Sequence, residues 1–516
     1  MSLVTRERRA RGLQAMPRAL SWRALGLPSG RVANNDRLTG LDSSFLHLER
    51  DSAHMHVAGC SVFAGSPPGY DEVVRAIEAR LHLVPRYRQR LAFVPFGQGR
   101  PVWVDDPHFK VQYHVRHTAL PRPGGDAELK RLAGRVFSQA LDRSRPLWEL
   151  WLVEGLAGGR FALLSKTHHA LVDGVSGVDI ATVLFDTSPE PLPVAPPEHE
   201  WVARPLPSSA QLLADALRER ATAPQEVVRG VRAALRGPRA MTRRLGRAVG
   251  SVGALAWTGL QAAPPSPFNV RIGPHRRFTW VEADLGQFKA IKNALGGTVN
   301  DLVLAVVAGA LGGYMRLHGH STEGVELRAM VPVSVRADIE RGALGNRVAA
   351  MWALLPVGLT DPVERLERVS REMHGVKESG QAVGAEILTR LSGFAPPTIM
   401  AQAARLQARQ RIFNLVVTNV PGPQFPLYLL GRELESIYPM VPLAENTALG
   451  IAILSYNGQV NFGLVADYDA LSDVEALADE LRAAVHELAA AAGAPAPGPP
   501  PTGTPQHPPD PAPAAR

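Results

Sequence analysis

Two kinds of hydrophobic spacing alternate along the chain. Apolar residues three or four positions apart, typical of helices, are found in DEVVRAIEARL (Asp71 to Leu81), TVNDLVLAVVAGALGGYM and DVEALADELRAAVHELAAAA. Strand-like alternation or β-branched runs are found in FKVQYHVRH, RFALLSKTH, RAMVPVSV, AAMWALLPVGL, NLVVTNVP, LGIAILSYNG and QVNFGLVADY. Both kinds are present in each half of the chain. The pattern therefore predicts a mixed α+β protein with two domains, each a sheet with helices.

Composition marks where the two patterned regions begin and end. The stretch PEPLPVAPPEHEWVARPLP is rich enough in proline to be a linker, and it leads into an arginine-rich helical stretch. The residues from Gly493 onward are rich in alanine, proline and glycine, which predicts disorder. We therefore divide the chain into a basic mobile leader (1–35), an N-terminal domain (36–190), a Pro-rich and Arg-rich helical crossover (191–275), a C-terminal domain (276–492) and a disordered tail (493–516).

The net charge of +8 is concentrated in two segments. Residues 1–35 hold seven arginines against Glu7, and residues 207–260 hold nine arginines against three acidic residues, so each segment has a net charge of +6. Two basic segments outside the predicted domains favour an anionic membrane or lipid-droplet surface as partner. Neither segment interleaves aromatic residues with its arginines, so we do not expect nucleic acid as a partner.

Five arginines of the crossover would share one face of a helix, because they follow one another at steps of three and four. These are Arg229, Arg232, Arg236, Arg239 and Arg243. Gly237 and Pro238 must bend or break that helix. The pattern fits either a solvated helix packed across the domains or a helix lying on a membrane surface, and both interpretations stay open.

Cysteine use and apolar length limit the cellular setting. The single cysteine, Cys60, excludes an internal disulfide framework and a cysteine-based zinc site, and it fits a reducing cytosol. The N-terminal residues MSLVTRERRARG place charge where a signal peptide needs its apolar segment. The longest apolar stretch, Leu302 to Met315, is too short to span a bilayer and predicts a buried helix. We expect a cytoplasmic protein, soluble or peripherally associated with a membrane or lipid droplet.

The stretch FALLSKTHHALVDGVSG, from Phe161 to Gly177, carries the strongest chemical signal. Strand-like RFALLSKTH is followed by DGVSGVDIATVLF, which has helical spacing, so His168 and His169 would lie on the turn between strand and helix. Side chains at such a turn can reach a cleft. This position suits a general base.

Three other interpretations of the histidine pair are weaker. A zinc site would need His168 or His169, Asp173 and a further ligand, and no HExxH or similar spacing supplies one, so we expect no metal. A serine hydrolase would use Ser176, but the surrounding residues do not form G-x-S-x-G. An isolated pair usually has one buried and one exposed histidine without function. Here the whole HHxxxDG pattern at a strand end favours catalysis.

A histidine with a pKa near neutrality can take the proton of a hydroxyl as that hydroxyl attacks an activated acyl group, such as a thioester. No enzyme nucleophile is then required. We assign His169 as the base and His168 as a structural or assisting partner. Asp173 is better placed to hold the turn, through an arginine or backbone amides, and Gly174 lets the helix begin close against the loop.

HHALVDG (His168 to Gly174) resembles the HHxxxDG signature of CoA-dependent acyltransferases related to chloramphenicol acetyltransferase and to peptide-synthetase condensation domains. Further stretches resemble motifs of bacterial wax ester synthase/acyl-CoA:diacylglycerol acyltransferases and follow in that family's order. They are LTGLDSSFLHLE, AHMHVAGCSVF, RPLWELWLVEGL, GGTVNDLVLAVVAGAL, PVSVRADIERGALGN and TNVPGP. The resemblance extends from about Leu38 to Leu488.

The resemblance implies two domains of the chloramphenicol-acetyltransferase type, joined by a long crossover, with a tunnel between them for acyl-CoA and an alcohol. It implies that His169 is the general base, with His168 beside it and Asp173 as the organising acid. No cofactor is implied, because acyl-CoA is a substrate.

Two shorter motifs have open roles. Pro146, Leu147 and Trp148 match the family's PLW motif, which is either a core-packing turn or a substrate contact. Asn300 and Asp301 match the ND motif at a helix start, where Asn300 either caps the helix or polarises a group at the tunnel.

The sequence is compatible with three functions. The first is an acyl-CoA-dependent O-acyltransferase acting on diacylglycerol or a long-chain fatty alcohol, acceptors that the sequence does not rank. The second is a catalytically silent membrane or lipid-droplet binding protein on the same scaffold, which the intact HHxxxDG disfavours. The third is acyl transfer between carrier-bound intermediates, which the PLW, ND and NVPGP stretches disfavour.

Overall fold

The computed structural model describes residues 36–171, 183–191, 193–219, 262–334, 348–378 and 411–494. The predicted basic leader, the five arginines of the crossover, and Asp173 and Gly174 of the histidine motif lie outside these residues. The predicted disordered tail also lies outside them, apart from its first two residues.

The described elements alternate between strands and helices, as the hydrophobic spacing predicts. The strands are β1 (Asp36–Arg37), β2 (His56–Phe63), β3 (Gln89–Ala92), β4 (Val102–Asp105), β5 (Val115–Ala119), β6 (Trp148–Leu156), β7 (Arg160–His168), β8 (Arg276–Asp284), β9 (Leu327–Ser334), β10 (Val348–Leu355), β11 (Leu415–Pro421), β12 (Tyr428–Leu429), β13 (Arg432–Met440), β14 (Leu449–Tyr456) and β15 (Gln459–Asp467). The α-helices are α1 (Gly40–Leu48), α2 (Tyr70–Arg80), α3 (Val111–His114), α4 (Asp126–Ser138), α5 (Leu285–Leu295), α6 (Val299–Leu317), α7 (Pro362–Glu378) and α8 (Val474–Ala491). Residues 209–219 are also helical.

The first large sheet has the strand order β12-β13-β2-β7-β6-β5. It is mixed, because β5 pairs with β6 in parallel while the other neighbours are antiparallel. Its strands β12 and β13 come from residues 428–440, within the range that we assigned to the C-terminal domain. The second half of the chain therefore completes the sheet that carries the histidine pair.

The second large sheet has the strand order β10-β9-β11-β14-β15-β8, with β11 parallel to both β9 and β14. Helix α6 belongs to the main hydrophobic core, and every residue from Asp301 to Met315 is buried. Taken singly, none of the described helices has the length and apolarity to cross a bilayer; α5 and α6 meet those criteria only as a pair, which is bent by 98°. The predictions of mixed α/β sheets and of a buried apolar helix are confirmed.

One strand prediction was wrong in part. Within FKVQYHVRH, Val111–His114 form the single helical turn α3, and only the last three residues enter β5. The reason is a tertiary contact: His114 is buried, its ring stacks on Trp148 at 4.6 Å, and its Nδ1 donates to the Trp148 carbonyl at 2.9 Å. The alternation of apolar and polar residues over nine positions gives no information about the packing of His114 on Trp148.

A small sheet of order β1-β4-β3 packs beside the first domain. The helical stretch 209–219 covers it with Leu212 and Ala216, which cluster with Val94, Val102 and Val104. Strand β1 pairs with β4 and leads directly into α1. The small sheet is thus connected to the helix that lies against the histidine pair.

The two large sheets approach each other closely at two glycines. A Cβ on Gly463 of β15 would overlap the carbonyl oxygen of Pro439 in β13. A Cβ on Gly134 of α4 would lie 2.8 Å from the carbonyl oxygen of Arg276 in β8. Both positions require glycine, because backbone of β13 lies directly against β15 and backbone of β8 lies directly against α4.

Candidate active site

The histidine pair lies where β7 ends, as its sequence pattern predicts. His168 is the last residue of β7 and is opposite His56, the first residue of β2, in the antiparallel register. The His169 N–H donates to the Met55 carbonyl at 2.8 Å, and the Leu171 N–H donates to the His168 carbonyl at 2.8 Å. These backbone bonds hold both histidines at the rim of the first large sheet.

The ring of His168 is fully buried and has a defined orientation. Its Nδ1 accepts a hydrogen bond from the Ala170 N–H at 3.0 Å, so the hydrogen of the neutral ring is on Nε2. That Nε2 lies 3.6 Å from Oε2 of Glu49. A carboxylate facing an N–H group favours this tautomer and ring orientation.

Glu49 is an almost fully buried carboxylate, with its side chain 8% exposed. Its Oε1 accepts from the Met55 N–H at 3.2 Å and lies 3.4 Å from Nε2 of His56. Its Oε2 accepts from Nε and Nη2 of Arg143. Burial by itself would raise the pKa of this carboxyl, but contacts with His168, His56 and Arg143 hold it well below its ordinary range. The site therefore contains a fixed negative charge beneath His168.

His56 and His54 belong to the same buried region. Their rings stack with centroids 5.3 Å apart. Burial lowers the pKa of His56 to about 4 although Glu49 favours its charged form, and burial also lowers the pKa of His54. Both are neutral at pH 7. Among the described residues, no group of three His, Cys, Asp or Glu side chains is arranged to hold a metal ion.

His169 has a different environment from His168. Its ring stacks on Phe45 of α1 with centroids 4.1 Å apart, and its Nδ1 is buried without a hydrogen-bond partner in the described part of the chain. Burial lowers the pKa of His169 below its ordinary value of 6.5, and the nearby Asp42 opposes this only weakly. His169 is thus neutral at pH 7 and able to accept a proton.

The PLW motif lies directly behind the pair. Pro146, Leu147 and Trp148 are all buried, and the Leu147 carbonyl accepts from the His168 N–H at 3.0 Å. Trp148 donates from Nε1 to the Tyr87 carbonyl at 2.8 Å. In this structure the three side chains are buried, and the motif contacts the histidine turn through its backbone.

The ND motif begins helix α6, and Thr298 rather than Asn300 caps that helix. Thr298 Oγ1 accepts from the Asp301 N–H at 3.2 Å, and Asp301 Oδ2 accepts from the Thr298 N–H at 2.9 Å and from Ser370 Oγ at 3.0 Å. This is a capping box. Asn300 Oδ1 instead accepts from Nδ2 of Asn419 at 3.2 Å, which joins the ND motif to TNVPGP.

Sequence reasoning assigned no role to Glu49, His56, Arg143 or Phe45. The signal was present, because LTGLDSSFLHLE ends at Glu49 and AHMHVAGCSVF contains His56. Both stretches were recognised only as family motifs. Nothing in the one-dimensional pattern indicates that positions 49, 56 and 143 meet position 168.

Comparisons with known proteins agree with these motifs. Residues 38–303 match the family described as wax ester synthase/diacylglycerol acyltransferase catalytic domain, and residues 344–489 match its C-terminal domain. The probable diacylglycerol O-acyltransferase tgs2 of Mycobacterium tuberculosis is 35% identical over 466 residues, which cover 88% of this chain and 98% of the relative.

Solved structures show the same relationship. The wax ester synthase/diacylglycerol acyltransferase from Marinobacter aquaeolei VT8 is similar with a TM-score of 0.62 and 29% identity, covering 89% of this chain and 100% of that chain. The first condensation domain of the CDA synthetase is similar in fold, with a TM-score of 0.54 at 15% identity, covering 89% of this chain and 97% of that domain.

Proposed function

We propose, for a chain that belongs to the wax ester synthase/diacylglycerol acyltransferase family, that His169 is the general base of its acyl transfer. The chain is an acyl-CoA-dependent O-acyltransferase. The observation that supports His169 as the base is its buried, neutral ring, held at the end of β7 by the Met55 carbonyl and by stacking on Phe45.

The proposed reaction needs no enzyme nucleophile and no cofactor. An unprotonated ring nitrogen of His169 accepts the proton of the acceptor hydroxyl as the hydroxyl oxygen forms a bond to the thioester carbonyl carbon. The carbon–sulfur bond then breaks, and the CoA sulfur leaves with the proton that His169 returns. The products are an ester and free CoA. The proposed acceptors are diacylglycerol, which the names of both relatives contain, and long-chain fatty alcohols, which would give the wax esters named for the Marinobacter enzyme.

We propose that His168 and Glu49 position the base rather than react. The carboxylate of Glu49 faces Nε2 of His168, and His168 is covalently adjacent to His169. Asp173 remains our predicted organiser of the turn, and Gly174 the residue that lets the following helix begin close to it; both lie outside the described residues.

For the cellular setting, we propose a cytoplasmic enzyme that binds an anionic membrane or lipid-droplet surface through its basic leader and crossover. The charge of +6 on each segment supports this proposal, because anionic leaflets attract clustered Lys and Arg. Sedimentation with anionic and neutral vesicles at two salt concentrations tests it. Binding that ignores both lipid charge and salt would refute the electrostatic part.

Replacing the base tests the proposed function. His169→Ala should lower turnover by roughly 10²–10⁴-fold, the usual contribution of a general base. The full chain would be incubated with labelled long-chain acyl-CoA and a pool of diacylglycerol and fatty alcohol, and the neutral lipids separated. His320→Ala, at an exposed histidine, is the matched control and should retain activity. A His169→Ala enzyme with most of its activity would refute the assignment. Lipid binding without turnover in the natural chain would favour the silent binding protein.

A further inference from the structure

The loop between β3 and β4 exposes two phenylalanines. Phe96 is 86% exposed, more than any other large apolar side chain in the described part of the chain, and Phe93 is 51% exposed. They are three positions apart at the tip of one short loop. Neither belongs to the active site or to a motif recognised above. Clustered exposed aromatic side chains usually mark an interaction surface.

The backbone at Phe96 adopts a conformation that a bulky residue rarely adopts. Its φ of 57° and ψ of 16° lie in the left-handed region, which costs an L-residue about 1–2 kcal/mol. The turn is closed by the Gly97 N–H, which donates to the Val94 carbonyl at 3.2 Å. Glycine at position 96 would remove both this strain and the exposed ring. A strained and exposed phenylalanine is therefore better explained by function than by folding.

The base of the loop is anchored. Val94, between the two phenylalanines, is buried with Val102, Val104, Leu212 and Ala216. Because Val94 points into this cluster, Phe93 and Phe96 on either side of it are held at the surface. The loop therefore projects from the small sheet on a buried base.

The surroundings of the loop are basic. Residues 79–104 contain five arginines and no acidic residue. Arg90 and Arg100 flank the phenylalanines on β3 and just before β4. Arg90 lies 3.9 Å from Asp106 and Arg100 pairs with Glu219 at 2.7 Å, so each has one carboxylate near it. Aromatic rings beside arginines match the boundary between headgroups and acyl chains of an anionic lipid surface, which accepts both kinds of group.

We propose that this loop, residues 93–100, is a lipid-docking loop in which Phe93 and Phe96 insert into an anionic lipid surface. This choice of occupant rests on the proposed function, because a water-insoluble acceptor resides in such a surface. The loop is also connected to the site: β4 pairs with β1, and β1 leads into α1, whose Phe45 stacks on His169. The loop is thus joined, through two paired strands, to the helix whose Phe45 stacks on His169.

The first experiment measures vesicle binding of the full chain. Vesicles of phosphatidylcholine and phosphatidylglycerol in equal parts would be compared with pure phosphatidylcholine. The double variant Phe93→Ser/Phe96→Ser should bind the anionic vesicles at least about tenfold more weakly, since each inserted ring removes apolar area from water. Leu317→Ser, at a side chain 62% exposed on the end of α6, is the matched control and should bind as the natural chain does.

The second experiment locates the loop directly. Cys60 is the only cysteine and is fully buried, so Phe96→Cys provides one accessible thiol for an environment-sensitive dye. The dye emission should shift to the blue on anionic vesicles, and lipids brominated on their acyl chains should quench it. The same label at Leu317→Cys should show neither change.

The outcomes separate this proposal from the proposed function. Turnover of palmitoyl-CoA with a short-chain alcohol in buffer without vesicles reports on the chemistry alone, and the double variant should retain it. Unchanged vesicle binding by the double variant, an equal loss in Leu317→Ser, or a dye that stays exposed to water would each overturn the docking loop. A natural chain that is dimeric by light scattering and becomes monomeric in the double variant would also overturn it, because a second copy would then cover the phenylalanines.

Discussion

At the scale of single residues, Glu49 brings a buried negative charge into contact with His168 and with the neutral His56. Replacing this carboxylate removes the counter-charge of Arg143, whose side chain is 40% exposed, and the hydrogen-bond acceptor of buried polar groups, at a cost of about 1–3 kcal/mol. In Glu49→Gln, Arg143 would lose the carboxylate of residue 49, and Nε2 of His168 would face a neutral amide in its place.

We therefore expect Glu49→Gln to lower kcat by about tenfold to a hundredfold with little change in the KM for acyl-CoA. Glu49→Asp should recover part of kcat, because it restores the charge. Steady-state kinetics and thermal unfolding would be measured together, with the exposed Glu323→Gln as control. If the Gln and Asp variants lose equal stability and Glu49→Asp does not recover kcat, the role of Glu49 is packing alone.

The buried His56 predicts a pH dependence of stability. Its pKa is about 4 in the folded chain against an ordinary 6.5, so the unfolded chain takes up a proton first as the medium is acidified. The stability from neutral His56 is complete above pH 6.5 and declines as the pH falls toward 4, by roughly 3 kcal/mol. The lowered pKa of Glu49 adds a further loss that begins only below its ordinary 4.5. Urea unfolding at a series of pH values measures the slope. His56→Gln should make the slope shallower between pH 6.5 and 4, and the lowered pKa values of His54 and His169 should keep it above zero.

The position of His169 was predictable, but its neighbours were not. RFALLSKTH is strand β7 from its first residue to its last. The strand-like spacing of its apolar residues was therefore enough to predict that the histidine pair lies at a strand end. Glu49, Arg143 and Phe45 reach the site through tertiary packing between distant positions. A single sequence contains no distance between such positions, and their residue types alone fit many surface roles.

At the scale of elements, the start of helix α6 gives the two residues of the ND motif different hydrogen-bond partners. Asp301 completes the capping box and also accepts from Ser370, whereas Asn300 contacts only Asn419 among the hydrogen bonds described here. The long apolar spacing of α6 made the helix predictable. Its cap was not predictable, because Thr298 and Asn300 are both common capping residues.

We expect Asp301→Ala to lower the free energy of unfolding by about 1–2 kcal/mol, the usual effect of losing a cap. Asn300→Ala should leave stability within about 0.5 kcal/mol and change kcat or KM instead. Chemical denaturation and steady-state kinetics on both variants decide the matter. A destabilised Asn300→Ala enzyme with normal kinetics would show that the whole motif is structural.

At the scale of the whole molecule, the two sheets contact each other through backbone. In Gly463→Ala, the added methyl would overlap the Pro439 carbonyl and push β15 away from β13, with a loss of about 1–3 kcal/mol or more. Gly375→Ala is the matched control: its Cβ meets nothing within 4 Å in helix α7, so alanine there should raise stability by up to about 1 kcal/mol. Opposite shifts in Tm are expected. A neutral Gly463→Ala would mean that the sheets can separate without cost.

The whole-molecule arrangement was the least predictable from sequence. Composition separates the two patterned regions at the proline-rich crossover, yet β12 and β13 cross from the second region into the first sheet. Their hydrophobic pattern predicts strands equally well in either sheet. They join the edge of the first sheet because β13 pairs with β2, and this pairing is a tertiary contact.

The contribution of β12 and β13 to the first sheet affects how the enzyme folds during translation. On the ribosome, β2 and β7 emerge early, but β13 follows only when residue 440 has been synthesised. At 5–20 residues per second, the interval from His168 to Met440 is on the order of tens of seconds. During that interval β2 has an unpaired edge, which is a template for pairing with other chains. The hazard of aggregation is therefore greatest in the nascent chain, and the strand that removes it is among the last to be translated.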